Sequence, residues 1–289
     1  WNRNGSSPTI RACLFDGNDA EYGGAILNGD ENGSICRPTI VDCAFLDNGS
    51  SACLGGAIYN WGAEPEITDC QFIENRGFFG GAVLNFDGSR PEFRDCLFQA
   101  NTAASDGGAM YNDASSPLVR GCIMEANAAG DEGGAVFNAD PGSSAAIPEF
   151  IDCDFFSNVA NGEGGAIHNF STSPTLEGCS LRENVASIGG GMHSWNGSNP
   201  RLLDTQACGN TPDQIDGPWT DDGENDIAPA CEVDCITDLD GDGATSGADL
   251  GLLFVSWGSC GNCPADFNGD GIVDGKDLGV LFIGWGDCD

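Results

Sequence analysis

Two consecutive stretches, Pro65-Glu-Ile-Thr-Asp-Cys70-Gln-Phe-Ile-Glu-Asn75-Arg-Gly-Phe-Phe-Gly80-Gly-Ala-Val-Leu-Asn85 and Pro91-Glu-Phe-Arg-Asp-Cys96-Leu-Phe-Gln-Ala-Asn101-Thr-Ala-Ala-Ser-Asp-Gly107-Gly-Ala-Met-Tyr-Asn112, repeat one pattern 26 residues apart. Proline is followed two residues later by an apolar residue, five later by cysteine and ten later by asparagine. The same spacing starts at Pro8, Pro38, Pro65, Pro91, Pro117, Pro148, Pro174 and Pro200, and its asparagine column is unbroken: Asn18, Asn48, Asn75, Asn101, Asn127, Asn158, Asn184 and Asn210. Glycine segments alternate with these, beginning at Gly23, Gly55, Gly80, Gly107, Gly133, Gly164 and Gly189. They carry a second column: Asn28, Asn60, Asn85, Asn112, Asn138 and Asn169, with Ser194 in the seventh. A fixed internal period with length changes only between segments marks a solenoid. Short strands with glycine and asparagine corners predict a parallel β-helix in which equivalent residues stack about 4.8 Å apart. A stacked asparagine can hydrogen-bond from coil to coil and satisfy backbone left unpaired by a tight corner.

The Phe-x-x-Asn elements (Phe15–Asn18, Phe45–Asn48, Phe72–Asn75, Phe98–Asn101 and Phe155–Asn158) beside Gly-Gly-Ala-Ile resemble the passenger repeats of the polymorphic outer membrane protein family. That resemblance implies a right-handed parallel β-helix of about seven to eight coils. The expected organisation is a mainly β chain: a β-helix over 1–212, an acidic linker over 213–234, and a small C-terminal module over 235–289.

Within that module, Asp238-Leu-Asp-Gly-Asp-Gly-Ala-Thr-Ser-Gly-Ala-Asp249 and Asp266-Phe-Asn-Gly-Asp-Gly-Ile-Val-Asp-Gly-Lys-Asp277 place oxygen ligands at loop positions 1, 3, 5, 9 and 12 with glycine at 6. Such spacing wraps a loop around one hard cation, and calcium suits it because it accepts six to eight oxygens in flexible geometry. The first set is Asp238, Asp240, Asp242, the Ala244 carbonyl, Ser246 and Asp249. The second is Asp266, Asn268, Asp270, the Ile272 carbonyl, Asp274 and Asp277. An apolar stripe at helical spacing follows each loop: Leu250, Leu253, Phe254 and Trp257, then Leu278, Leu281, Phe282 and Trp285. This duplicated loop–helix unit resembles the dockerin family, which implies two bound Ca2+ ions and docking onto a cohesin-like partner. Gly247-Ala248 and Gly275-Lys276 stand where that family often carries small hydroxylated recognition residues, so the module could instead dock on its own chain or on a neighbouring subunit.

Forty-five acidic against ten basic residues give a formal charge of −35. Such a surface repels nucleic acid and anionic membranes. No stretch is apolar enough to insert in a bilayer. The chain opens on Trp1, from which removal of a leader or longer N-terminal region is expected. Fifteen cysteines beside calcium loops predict an extracellular, secreted or cell-surface setting. Seven lie in the repeat column (Cys13, Cys43, Cys70, Cys96, Cys122, Cys153 and Cys179). They share strand parity with the phenylalanines, so they are expected to be buried thiols rather than metal ligands. The other eight allow four disulfides. The twofold implied by the dockerin resemblance favours Cys260–Cys263 and Cys235–Cys288, which leaves Cys208–Cys231 and Cys36–Cys53.

The glycine segments present a further column containing Tyr59, Tyr111, Phe137, His168 and His193, and two residues on lie Trp61, Phe86, Phe170 and Trp195. Alternation with the apolar column Ile26 to Met192 turns one of the two columns outward; with this strip outside it is a glycan platform or protein interface, unless loops cover it or the two columns face the other way. No catalytic residue is assigned, because the two histidines lack a recognisable triad. The eighth proline segment ends at Asn210 without a glycine segment, which leaves an open coil. Three functions follow: a non-enzymatic structural protein assembling into homo-oligomers or filaments, an adhesin or carbohydrate-binding protein tethered by the module, or a β-helix polysaccharide lyase or glycosidase.

Overall fold

The computed structural model describes residues 1–29, 33–140, 142, 146–231, 237–240, 242, 244–260 and 263–287. The chain divides into two compact units, Trp1–Cys231 and Glu232–Asp289. The first is a right-handed parallel β-helix of about eight coils. Three long sheets run along it. The proline-led strands, from Thr9–Arg11 to Thr220–Asp221, form one sheet of nine; the strands after the cysteine column, from Leu14–Asp16 to Asp226–Ala228, form a second sheet of nine. The glycine-segment strands, from Ile26–Asn28 to Ile215–Asp216, form a sheet of eight. Every pairing is in register, so Phe72 lies on Phe45 and Phe98 lies on Phe72.

Register turns each sequence column into a physical stack. The rings of Phe15, Phe45, Phe72 and Phe98 lie nearly parallel at centroid spacings of 4.8, 4.8 and 4.7 Å. That is the strand spacing itself, so one stacking geometry is reused at every coil. The first asparagine column is buried from Asn48 onward, and each member accepts from both the backbone and the side-chain amide of its predecessor, as Asn101 does from Asn75 at 3.0 and 2.9 Å. The second column does the same through side chains alone, from Asn28 to Asn169.

Two corner types explain the glycines and aspartates. Asp42, Asp69, Asp95, Asp152 and Asp204 adopt left-handed backbone (φ 48–53°), and Gly121 and Gly178 take that corner in their coils. In the glycine segments the first residue needs positive φ and the second needs proximity. Gly107 has φ +68°, and a Cβ on Gly108 would stand 2.0 Å from the Gly134 carbonyl oxygen of the next coil.

Four expectations change. Residues 215–228 do not form a linker: Ile215 pairs with Met192, Thr220 with Arg201, and Asp226 with Gln206. They lack the proline and asparagine signature yet complete a shortened ninth coil, because strands of two or three residues suffice to cover the sheet ends. The coil expected to stay open after Asn210 is therefore carried on. Cys36 and Cys53 are both free and buried rather than bonded; their sulfurs approach carbonyls of Asn2 and Gly55 instead. Cys13 is exposed, because among the described residues no strand stacks on the outer side of its coil. The other six column cysteines are buried free thiols, and Cys208–Cys231 and Cys260–Cys263 are disulfides. Cys235–Cys288 lies outside the described residues.

In the second unit, helix α1 (Gly247–Val255) and helix α2 (Gly275–Ile283) each begin with a capping box, on Ser246 with Asp249 and on Asp274 with Asp277. Leu253, Ala265, Val273 and Leu281 form their small core. Only one residue of each expected stripe is fully buried; Phe254, Trp257, Phe282 and Trp285 stay about half exposed. Among the described residues no helix is long and apolar enough to cross a membrane.

Candidate functional site: a groove on the glycine-segment sheet

The outward column of the eight-stranded sheet forms the floor of a groove. In register order it reads Leu27, Tyr59, Leu84, Tyr111, Phe137, His168, His193 and Asp216. These side chains do point away from the solenoid interior, but Tyr59, Phe137, His168 and His193 are buried rather than exposed. The cause is a flanking column, the residues immediately before each glycine pair. Tyr22 packs edge-on against Tyr59 at 5.3 Å, and Phe79 lies 4.8 Å from Tyr111. The column is itself laddered, since amides of Gly80, Gly107, Gly133 and Gly164 donate to carbonyls of Asp106, Glu132, Glu163 and Ile188. On the other flank Trp61, Phe86 and Phe170 are half-buried, and Trp195 is 61% exposed.

Two adjoining clefts result, sharing Tyr111 and Asp113. One, of about 610 Å³, is walled by Tyr22, Leu54, Tyr59, Trp61, Phe79 and Phe86. The other, of about 690 Å³, keeps aromatic lining from Phe137, Phe170 and Trp195 and adds Glu132, Glu163, His168, His193 and Asp216. Along the groove acidic and imidazole groups thus join an aromatic lining that continues to Trp195. Tyr111 and Phe137 stack at 5.0 Å, and Phe137 and His168 at 5.1 Å.

The polar end is tightly connected. Glu163 Oε2 lies 2.9 Å from His193 Nδ1 and 3.8 Å from His168 Nδ1, and the two Nδ1 atoms are 3.4 Å apart. His193 Nε2 faces Asp216 Oδ2 at 3.2 Å, and His168 Nε2 faces Glu132 Oε2 at 3.6 Å. Burial, reinforced by His193, pulls the His168 imidazole down to about 3. Burial, then the charges of Asp106, Asp131 and Glu163, pushes the Glu132 carboxyl up to about 7. Asp113 is raised by burial first and by Asp140 and Asp87 next.

The sequence placed the strip residues on one face, and the structure brings them together. It did not reveal Glu132, Glu163 or Asp216 as their neighbours. The readable signal was the column before the glycine pair, which runs Tyr22, Leu54, Phe79, Asp106, Glu132, Glu163 and Ile188 and changes from apolar to acidic midway.

The loops of the second unit show a different geometry. Asp238, Asp240 and Asp242 each offer a carboxylate oxygen within one ion-sized space. Position-twelve residues Asp249 and Asp277 are fully buried and accept from loop amides, Asp249 from Leu239 at 2.7 Å and from Ser246 at 2.7 Å, and Asp277 from Asp274 at 2.9 Å. In the second loop Asp270 accepts from Ile272 N at 3.1 Å, and Lys276 Nζ sits 2.7 Å from its other oxygen. Among the described residues of the two loops, carboxylates gather closely enough for one cation only in the first; in the second, Lys276 occupies one oxygen of Asp270.

The family model described as right handed beta helix region matches residues 1–211. No curated protein and no solved structure matches the chain.

Proposed function

The chain belongs to the right-handed β-helix family, and from that premise we propose that it binds an extended glycan along the groove of the eight-stranded sheet. The observation that carries this reading is the continuous aromatic floor and flank, one ring or more per coil from Tyr59 to Trp195, in a groove parallel to the solenoid axis. Flat apolar rings with hydrogen-bonding groups at their edges suit sugar faces, which pair C–H surfaces with hydroxyls. The charge of −35 disfavours uronate or sulfated chains, so the ligand class is a neutral or amino-bearing polysaccharide. Self-assembly into filaments is less favoured, because the coil on which it rested is continued by residues 215–228.

We infer that the second unit is a dockerin-like tether holding two Ca2+ ions. Each ion would be held by the loop carboxylates, the Ala244 or Ile272 carbonyl and the position-twelve aspartate. Duplicated exposed pairs, Phe254 with Trp257 at 5.5 Å and Phe282 with Trp285 at 5.6 Å, support a docking role. Two disulfides support an extracellular setting. Affinity electrophoresis of the full chain through gels containing neutral polysaccharides tests the groove. Retardation in one polymer, lost in Trp61→Ala and Tyr111→Ala, is the expected result. Equal mobility of wild type and variants in every polymer would overturn the reading.

A further inference from the structure

We propose that His168 and His193, through Nδ1, and Glu163, through Oε2, form a site for one Zn2+ ion whose fourth position opens into the groove. The three candidate ligand atoms stand 2.9, 3.4 and 3.8 Å from one another. Ligands at 2.0–2.2 Å around a tetrahedral zinc ion lie about 3.3–3.6 Å apart, so the observed triangle already brackets one tetrahedral face. Small side-chain adjustments would equalise it, with no change of coil register.

The surroundings of the two rings point the same way. A ligating histidine usually donates its other ring N–H to a carboxylate, which fixes the tautomer and turns the free lone pair toward the metal. Asp216 stands in that place for His193, 3.2 Å from Nε2, while Glu132 faces Nε2 of His168 from 3.6 Å, beyond hydrogen-bond distance. With Nε2–H held by Asp216, the His193 Nδ1 lone pair aims at the Glu163 carboxylate and at the Nδ1 atom of His168. Two imidazole nitrogens and a carboxylate oxygen thus converge in a place where both rings are buried, and one cation at their centre would satisfy all three. His168 Nε2 is also buried and lacks a hydrogen-bond partner within bonding distance, so this ring has room to close on Glu132 when a metal takes its Nδ1. Imidazole nitrogens select a borderline metal over calcium, which takes oxygen ligands, so this site is chemically separate from the C-terminal loops. The inference does not depend on a glycan occupying the groove.

The test is calorimetric titration of the full chain with Zn2+ after chelation and desalting. Saturating Ca2+ is present to fill oxygen sites, and Cys13→Ser removes the exposed thiol. One Zn2+ per chain is expected, together with the visible absorption of tetrahedral Co2+ when cobalt replaces zinc. His168→Phe repeats the ring that Phe137 supplies one coil earlier, so it should fold; it should weaken binding at least a hundredfold, and His193→Tyr likewise. Asp216→Asn, which touches only the outer nitrogen of His193, should weaken binding about tenfold. No zinc uptake by the wild type, or the same stoichiometry and affinity in folded His168→Phe and His193→Tyr, would overturn the proposal.

Discussion

Asn127 donates from both its backbone amide and its side-chain amide to Oδ1 of Asn158, each at 3.0 Å, although 31 residues separate them instead of the usual 26. The extra residues fall between the segments, and the ladder resumes unchanged. The corner is therefore specified by the asparagine and not by the loop that leads to it. Each asparagine from Asn48 to Asn184 has three tasks: its Oδ1 accepts from the coil before, its amide reaches the coil after, and Nδ2 also donates to a carbonyl, as Asn127 does to that of Phe98. A single oxygen thus satisfies a buried backbone N–H that the corner would leave unpaired.

Asn127→Ala should destabilise the β-helix by about 2–5 kcal/mol, because Asn101 N and the Phe98 carbonyl each lose a partner where water cannot replace it. Asn18→Ala should cost about 1 kcal/mol or less, since Asn18 is exposed and its side chain only donates, to Asn48 Oδ1 and to the Asp16 carbonyl. Denaturant unfolding of both variants checks the contrast. Equal losses would mean that coil position does not matter to the ladder.

The period made the solenoid legible, because a parallel β-helix forces every column into a stack and sequence columns survive as contacts. Phe45 on Phe72 and Asn75 on Asn101 could be read directly. The groove was half legible. Parity turned Tyr59 and His193 outward, but parity says nothing about depth, and the flanking ladder that buries them comes from a column with no constant residue type. Asp216 was missed for a different reason. It continues the floor column of His168 and His193, yet its segment, although it holds Pro218 and Asn225, lacks the proline–cysteine–asparagine spacing of the repeat and reads as an acidic linker. Cys36 and Cys53 were paired by elimination, which fixes no geometry for two cysteines on loops.

Iodoacetamide added to the native chain should label Cys13 and leave Cys43, Cys70, Cys96, Cys122, Cys153 and Cys179 untouched, because these six are buried among the coils. Burial also raises the Cys43 thiol above its ordinary range, which withholds the reactive thiolate. Mass spectrometry after denaturation without reductant should then find Cys208 with Cys231 and Cys260 with Cys263. Native labelling of Cys96 or Cys122 would contradict the packing of the column.

Acid should relieve the polar end of the groove. The Glu132 carboxyl holds its proton up to about pH 7 in the folded chain, against 4.5 for the free side chain. The folded state then binds more protons than the unfolded one between these values. The contribution of Glu132 to stability is fully present below pH 4.5 and declines as pH rises to 7. His168, pulled down to about 3, acts in the opposite direction between pH 3 and 6.5. Comparison with Glu132→Gln isolates the first effect. In chelator, the Tm of Glu132→Gln relative to wild type should be higher at about pH 8 than at about pH 4. A constant difference would show that Glu132 titrates normally.

Calcium removal should act on the second unit alone. Its described core is only Leu253, Ala265, Val273 and Leu281 with partly buried neighbours, so on the proposal of two bound Ca2+ ions their binding should supply a large share of its stability. A ligand that binds only the folded state adds RT ln(1 + [L]/Kd), about 2.7 kcal/mol at a hundredfold excess. Chelation should lower the melting temperature of residues 237–287 and leave the β-helix transition in place, since that unit has its own core. Asp242→Ala and Asp270→Ala should each remove one ion. The second loop should bind more weakly, because Lys276 must leave Asp270 first, and Lys276→Ala should strengthen it. Calorimetry with and without Ca2+ reads both effects. An unchanged lower transition after chelation, or two ions still bound by Asp242→Ala, would remove calcium from the account of this unit.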